Sequence, residues 1–172
     1  MFDDIARLFG RLDVLVLNAS GGLERGADPG YAMRINCDAQ ERLVRLALPL
    51  MPPGGRIVFV TSHQAHFLGR RPVPADYVPV AASKRAGEDA LRAMGPILEA
   101  NGISLVVVSG DMIDGTITVR LLEQRDPDAV AARRAVAPLP TVSEFARAIV
   151  RGIQEPVQDG QTIYVGGPDY LD

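Results

Sequence analysis

A chain of 172 residues with 47% hydrophobic and 23% charged residues has the balance of one globular domain with a buried core. Its net charge of −3 gives no electrostatic reason for a nucleic-acid or anionic-membrane partner, and no apolar run reaches the roughly 18 residues of a membrane span. The start Met1-Phe2-Asp3-Asp4 lacks the features of a signal peptide, and the single Cys37 leaves no internal disulfide, which fits a reducing cytoplasm.

Short apolar runs alternate with helical stretches from end to end, the pattern of a parallel α/β sheet. Residues 2–11 are amphipathic, with Ile5, Leu8, Phe9 and Leu12 on one side and Asp3 and Asp4 suited to a helix start. Asp13-Val14-Leu15-Val16-Leu17 reads as a strand buried on both faces. Asn18 to Gly22 turn the chain, residues 23–30 read as loop, and 31–50 as a long helix ended by Pro52-Pro53 and Gly54-Gly55. Arg56–Thr61 is a second buried strand. The segment 62–79, with prolines at 72, 74 and 79, is expected to be irregular.

Pro79 suits the first turn of a helix running to about residue 100. Ile103–Val108 predicts a third strand and 116–124 a helix, followed by a mobile Arg/Ala-rich connection over 125–140. Thr141 and Ser143 suit the cap of a helix over 142–154, with Glu144 in its first turn. Thr162–Val165 closes the sheet, ended by Gly166-Gly167. With no repeat and no break in composition, residues 1–172 read as a single domain.

The order and spacing of these pieces resemble the short-chain dehydrogenase/reductase family, Rossmann-fold enzymes that move a hydride between a nicotinamide cofactor and a carbonyl or alcohol. Asp13–Gly21 looks like the family's fourth strand and its Asn-Asn-Ala-Gly turn, altered here to Leu-Asn-Ala-Ser-Gly. Gly55–Ser62 is similar to the fifth strand, with Ser62 at the position of the catalytic serine. Ala82-Ser83-Lys84 matches the end of the Tyr-x-x-x-Lys motif. Gly110 matches the glycine after the sixth strand, although Ser109 stands where a proline is usual, and Gly160–Gly167 resembles the final strand.

The resemblance implies a partial Rossmann-like α/β fold keeping the equivalents of strands 4-5-6-7. It implies NAD or NADP as cofactor, a small carbonyl or alcohol substrate, no metal, and a homo-oligomer formed through helices 31–50 and 80–100. Ser62 would orient the substrate oxygen, Lys84 would hold the nicotinamide ribose, and Asn36 would organise a water path. Asn18, Ala19, Ser20, Gly21 and Gly110 would line the cofactor, with Ile113 and Thr116 against the nicotinamide amide and phosphates. The rule that ligands bind beyond the carboxyl ends of parallel strands places Asn18, Ser62 and Gly110 on one rim. Outside this constellation, Ser62 reads as a turn cap and Lys84 as a solvated helix residue.

Two departures qualify that expectation. Position 80, where the family keeps its catalytic tyrosine one helical turn before Lys84, is Val80, and valine moves no proton. Tyr77 is the nearest phenol; Pro79 biases Val78 toward an extended conformation, which places Tyr77 in the entering loop. His63 and His66 are alternative proton donors, or else partly exposed loop histidines. Asp111 and Asp114 read as solvated turn residues. The second departure is the lack of any Gly-rich turn to hold the cofactor pyrophosphate, or of the residue that selects NAD or NADP. The first clear strand is already the family's fourth, so it becomes an exposed apolar edge. Met1 opening inside an αβ unit is read as the start of a fragment. Three functions stay open: an oxidoreductase impaired or inactive as this chain, a non-catalytic subunit acting through its dimerisation helices, and a redox-neutral lyase or isomerase.

Overall fold

Two strands, β2 (Arg56–Ser62) and β3 (Ser104–Gly110), run side by side through the centre of the molecule, pairing from Arg56 with Ser104 to Ser62 with Gly110. They are continuously apolar in their middles because both faces are covered. A computed structural model describes residues 1–24, 26, 28, 30–156 and 158–167. Positions 25, 27 and 29 of the expected 23–30 loop, and 168–172 of the expected 1–172 domain, lie outside the described residues. Strands β1 (Val14–Leu17) and β4 (Thr162–Val165) flank the pair, and the sheet is parallel throughout in the order β1-β2-β3-β4.

Helices α3 (Ala39–Ala47), α5 (Val78–Ala93) and α6 (Gly95–Ala100) cover one face. Val44, Ala47, Leu91 and Leu98 meet Ile57, Phe59, Leu105 and Val107 there, all 3% exposed or less. Helix α9 (Val142–Gln154) covers the other face, where Ala148, Ile149 and Ile153 pack on Val58, Val106, Val108 and Ile163. Each fully buried Val, Leu or Ile side chain stabilises the fold by about 1.5–3 kcal/mol relative to an exposed one. The cap of α9 is a complete capping box between Thr141 and Glu144. At its other end, the Arg56 guanidinium donates to the carbonyls of Gly152, Ile153 and Glu155.

Several expectations are corrected. Strand β1 is not buried on both faces: only Leu17 is buried, Leu12 and Leu15 are partly covered, and Val16 is 39% exposed because β2 is the strand's only partner among the described residues. Helix α1 (Phe2–Phe9) leaves Leu8 and Phe9 in solvent. The expected helix over 31–50 is one helical course whose hydrogen-bond pattern changes. It opens with α2 (Tyr31–Met33), widens into a π-helical turn at Arg34–Asp38, continues as α3 and tightens to a 3-10 turn at Leu48–Leu50.

The irregular 62–79 segment contains α4 (His63–His66), capped by the Ser62 hydroxyl, and a 3-10 turn at Ala75–Tyr77. Val78 is helical, not extended: the first-turn Pro79 sits where no N–H partner is needed, and burial of Tyr77 draws the turn inward. The expected mobile connection over 125–140 is mostly ordered. Helix α7 (Ile117–Arg125) is followed by α8 (Pro127–Val136), whose start is capped by Asp126 accepting from the Ala129 amide. Together they form a cover over the carboxyl ends of the strands, with Val119, Leu122 and Val130 packed on Tyr77, Val80 and Ala81.

Candidate active site

Ser62 leaves the carboxyl end of β2 with its hydroxyl accepting from the Ala65 amide at 3.3 Å. The same oxygen lies 3.3 Å from the phenol oxygen of Tyr77, where either hydroxyl can donate. The 3-10 turn before α5 thus brings a phenol to the Ser62 hydroxyl, while the helix itself carries Val80. Tyr77 is 4% exposed, and burial raises its pKa above the usual 10, partly opposed by the Ser62 bond. Its phenol is therefore a proton donor across the physiological range. Lys84, from the next turns of α5, is 9% exposed, and desolvation pulls its pKa down to about 8. No carboxylate opposes that shift among the described residues.

Tyr77 and Lys84 border two cavities. One, of about 170 Å³, is lined by Asn18, Ser62, Gly110, Ile113 and Thr116, with Met112, Val119 and Leu122 of the cover and the segment before it. The other, of about 260 Å³, is lined by Ser20, Gly21, Val80, Ile117 and Leu121. Val80 is thus a wall of the second cavity rather than a participant in the Ser62 bond. Thr116 caps α7, its hydroxyl donating to the Ile113 carbonyl and accepting from the Val119 amide.

Asn36 and Ala19 do not line either cavity. Asn36, 2% exposed, is spent on structure: its amide group donates to the Gly21 carbonyl and the Ser83 hydroxyl, and its oxygen accepts from the Gly21 amide. One helical turn later Gln40 donates to the carbonyls of Ala19 and Ile35. The π turn and α3 therefore grip the Asn18–Gly21 turn by its backbone. Gln40 went unnoticed in the sequence, although its spacing of four from Asn36 puts both on one helix face. Gly87 permits the close approach: a β-carbon there would lie 2.2 Å from the Asn36 carbonyl oxygen.

The histidines are corrected too. His63 is fully buried; Nε2 donates to the Gly166 carbonyl at 2.8 Å, and Nδ1 lies 2.8 Å from the Ser109 hydroxyl. It ties three strand ends together. His66 lies against the buried Glu88 carboxylate through Nδ1 at 2.9 Å and the Tyr164 hydroxyl through Nε2 at 3.1 Å, away from Ser62. Asp111 is no solvated turn residue. Its carboxylate is buried at the cavity wall and accepts from the Arg133 Nε of α8 at 2.7 Å. Asp114 is exposed and pairs with Arg134. Arg125 donates to the Leu23 carbonyl, a third tie between the cover and the rim.

Residues 1–151 match the family model described as Enoyl-(Acyl carrier protein) reductase. No curated protein sequence matches the chain. Among solved structures, the angucycline C-6 ketoreductase LanV with bound NADP is 24% identical over 96% of this chain and 66% of its own, with a TM-score of 0.75. A short-chain dehydrogenase/reductase, glucose/ribitol dehydrogenase, from Brucella melitensis gives 24% identity, 96% and 69% coverage and a TM-score of 0.78. The 3-α-hydroxysteroid dehydrogenase from Pseudomonas sp. B-0831, complexed with NADH, gives 21% identity, 98% and 77% coverage and a TM-score of 0.78. At these identities the likeness is one of fold, and the chain spans about two thirds to three quarters of each protein's length.

Proposed function

The chain belongs to the short-chain dehydrogenase/reductase family, and from that premise we propose an NAD(P)-linked carbonyl reductase site in which Tyr77 replaces the tyrosine missing at Val80. The observation that carries this reading is the Tyr77–Ser62 hydroxyl pair in the cleft that Lys84 also lines. The cleft suits a nucleotide. A buried ammonium without a carboxylate partner among the described residues awaits an oxygen-rich ligand, and Asn18, Ser20 and Gly21 stand on a turn fixed by Asn36 and Gln40.

When bound, the nicotinamide would supply or accept the hydride. Lys84 would hold the ribose hydroxyls, and Ile113 and Thr116 the nicotinamide end, in the cavity that Gly110 also lines. Ser62 donates to a substrate carbonyl oxygen, and Tyr77 delivers a proton to that same oxygen as it becomes an alcohol. The cover, with Met112, Val119 and Leu122, excludes water and presents an apolar wall suited to a small, largely apolar ketone. No Gly-rich phosphate turn occurs within the 172 residues, so this chain alone is expected to hold the dinucleotide weakly and turn over slowly. The test is NADH and NADPH binding by fluorescence with turnover on a panel of small ketones; binding of neither nucleotide rejects the reading.

A second reading, a non-catalytic subunit of a cytoplasmic homo-oligomer, is favoured by exposed apolar residues on the helical course 31–50 and on α6. Met33, Leu46 and Ile97 are each more than 40% exposed. Sedimentation velocity tests it: a dimer that Leu46→Glu dissociates supports it, and a monomer at every concentration rejects it. Among the described residues no helix is long and apolar enough to cross a membrane.

A further inference from the structure

Lys84 is the only lysine of the chain; every other member of its 18 lysines and arginines is an arginine. Its amine and the exposed terminal amine of Met1 are therefore the only aliphatic amines present. A guanidinium does not deprotonate in proteins, so the one side chain able to present a neutral amine lies buried in the cleft. It borders both cavities, as Tyr77 does, and no carboxylate pairs with it among the described residues; of those lining the cavities, Asp111 is taken by Arg133 and Glu24 accepts from the Gly22 amide. The hydroxyls of Tyr77 and Ser62 converge beside it on the smaller cavity. A carbonyl oxygen seated on that pair would present its carbon within a cleft that holds a nucleophile, an acid and an apolar wall.

We propose that Lys84 is a covalent site for small, largely apolar ketones and aldehydes, which it captures as an imine. The proposal takes its carbonyl-binding pair from the oxidoreductase reading but needs no dinucleotide. The neutral Nζ attacks the carbonyl carbon, and the carbonyl π electrons move to oxygen, which takes the Tyr77 proton. The nitrogen then gives up its two protons: one restores the Tyr77 phenol and one leaves with the hydroxyl as water as the C=N bond forms. Nothing is oxidised or reduced, and amine plus carbonyl become imine plus water. Burial supports the first step. With a pKa of about 8, roughly a tenth of Lys84 is neutral at pH 7, against well under a thousandth for an ordinary lysine.

The test is reductive trapping of the intact chain with cyclohexanone and cyanoborohydride near neutral pH, read by intact mass and peptide mapping. An adduct on Lys84 is expected beside the one on the Met1 amine, the Lys84 adduct forming on the order of 10²-fold faster in the native than in the urea-unfolded chain. Lys84→Met removes it and leaves the Met1 adduct unchanged. Tyr77→Phe, which keeps the lysine, slows trapping by about 10²-fold through loss of the acid. An adduct confined to Met1, or Lys84 labelling no faster in the native chain than in urea, overturns the proposal. NADPH binding is read separately: binding without a Lys84 adduct leaves the reductase standing and ends the imine, and an adduct without binding does the reverse.

Discussion

The phenol oxygen of Tyr77 stands 3.3 Å from the hydroxyl of Ser62, although Tyr77 belongs to a 3-10 turn outside the helix that carries Lys84. Two elements rather than one thus bring the phenol and the lysine to the cleft. Tyr77→Phe keeps the buried ring and removes only the hydroxyl, so nucleotide binding and fold should persist while ketone reduction falls by about 10²–10⁴-fold. Single-turnover rates beside nucleotide titrations check this, and an unchanged rate eliminates Tyr77.

The same arrangement fixes a pH profile. Burial lowers Lys84 to about 8 and raises Tyr77 above 10. In the free enzyme kcat/KM for the nucleotide should fall as pH rises through about 8, where the ammonium is lost, and the phenol should remain a donor beyond it. Tyr77→Phe leaves the limb near pH 8 in place, whereas Lys84→Met abolishes it. A limb near 8 that survives Lys84→Met contradicts the assignment.

Lys84 also weakens the fold. An unfolded lysine keeps its proton to about its ordinary 10.5, whereas the folded one releases it from about 8. Between those values the unfolded chain binds the extra proton, so stability increases with pH across that window and the cost is complete below it. Lys84→Met should therefore stabilise the protein at pH 7 by up to about 3 kcal/mol. The difference from wild type should shrink toward zero above pH 10. Urea midpoints at several pH values measure it.

Glu88 acts in the opposite sense. Desolvation raises its pKa, but hydrogen bonds and charge from His66 and Arg92 outweigh burial and leave it below the ordinary 4.5. Its contribution is present above that value and is lost as pH falls through the folded pKa. Glu88→Gln should cost about 2 kcal/mol at pH 7 and flatten the acid limb of the stability curve. Equal acid sensitivity in both proteins would show that other carboxylates govern it.

Arg133→Met leaves the Asp111 carboxylate, 1% exposed, without its bond from Arg133, and should destabilise the chain by about 3–5 kcal/mol. Replacing both residues with apolar ones of similar volume should recover most of the loss. A double-mutant cycle by chemical denaturation measures the coupling.

The sheet was readable because β2 and β3 carry apolar runs that local pattern alone interprets, and Thr141 with Glu144 marked α9 by cap chemistry. Ser62 and Gly110 are legible because they end strands, and Lys84 because it lies in the helix between those strands. Tyr77 was harder: the proline rule spoke for an extended Val78, and only tertiary burial reverses it. His63, Asp111 and Arg133 were misread or missed for one reason. Each is defined by a partner more than 20 residues away, which periodicity does not report. The π turn at Arg34–Asp38 has no composition of its own, since it is stabilised by what Asn36 grips.

The arginine ties of the α7–α8 cover differ in how they respond to the medium. Arg134 meets Asp114 and Glu123 at the solvent-exposed margin, where such pairs contribute little and dissolved ions weaken them further, while Arg133 and Asp111 are buried away from those ions. Of the cover's two neighbouring arginines, then, only one contributes an attraction that depends on the ionic strength of the medium, and the other holds its carboxylate at any salt concentration.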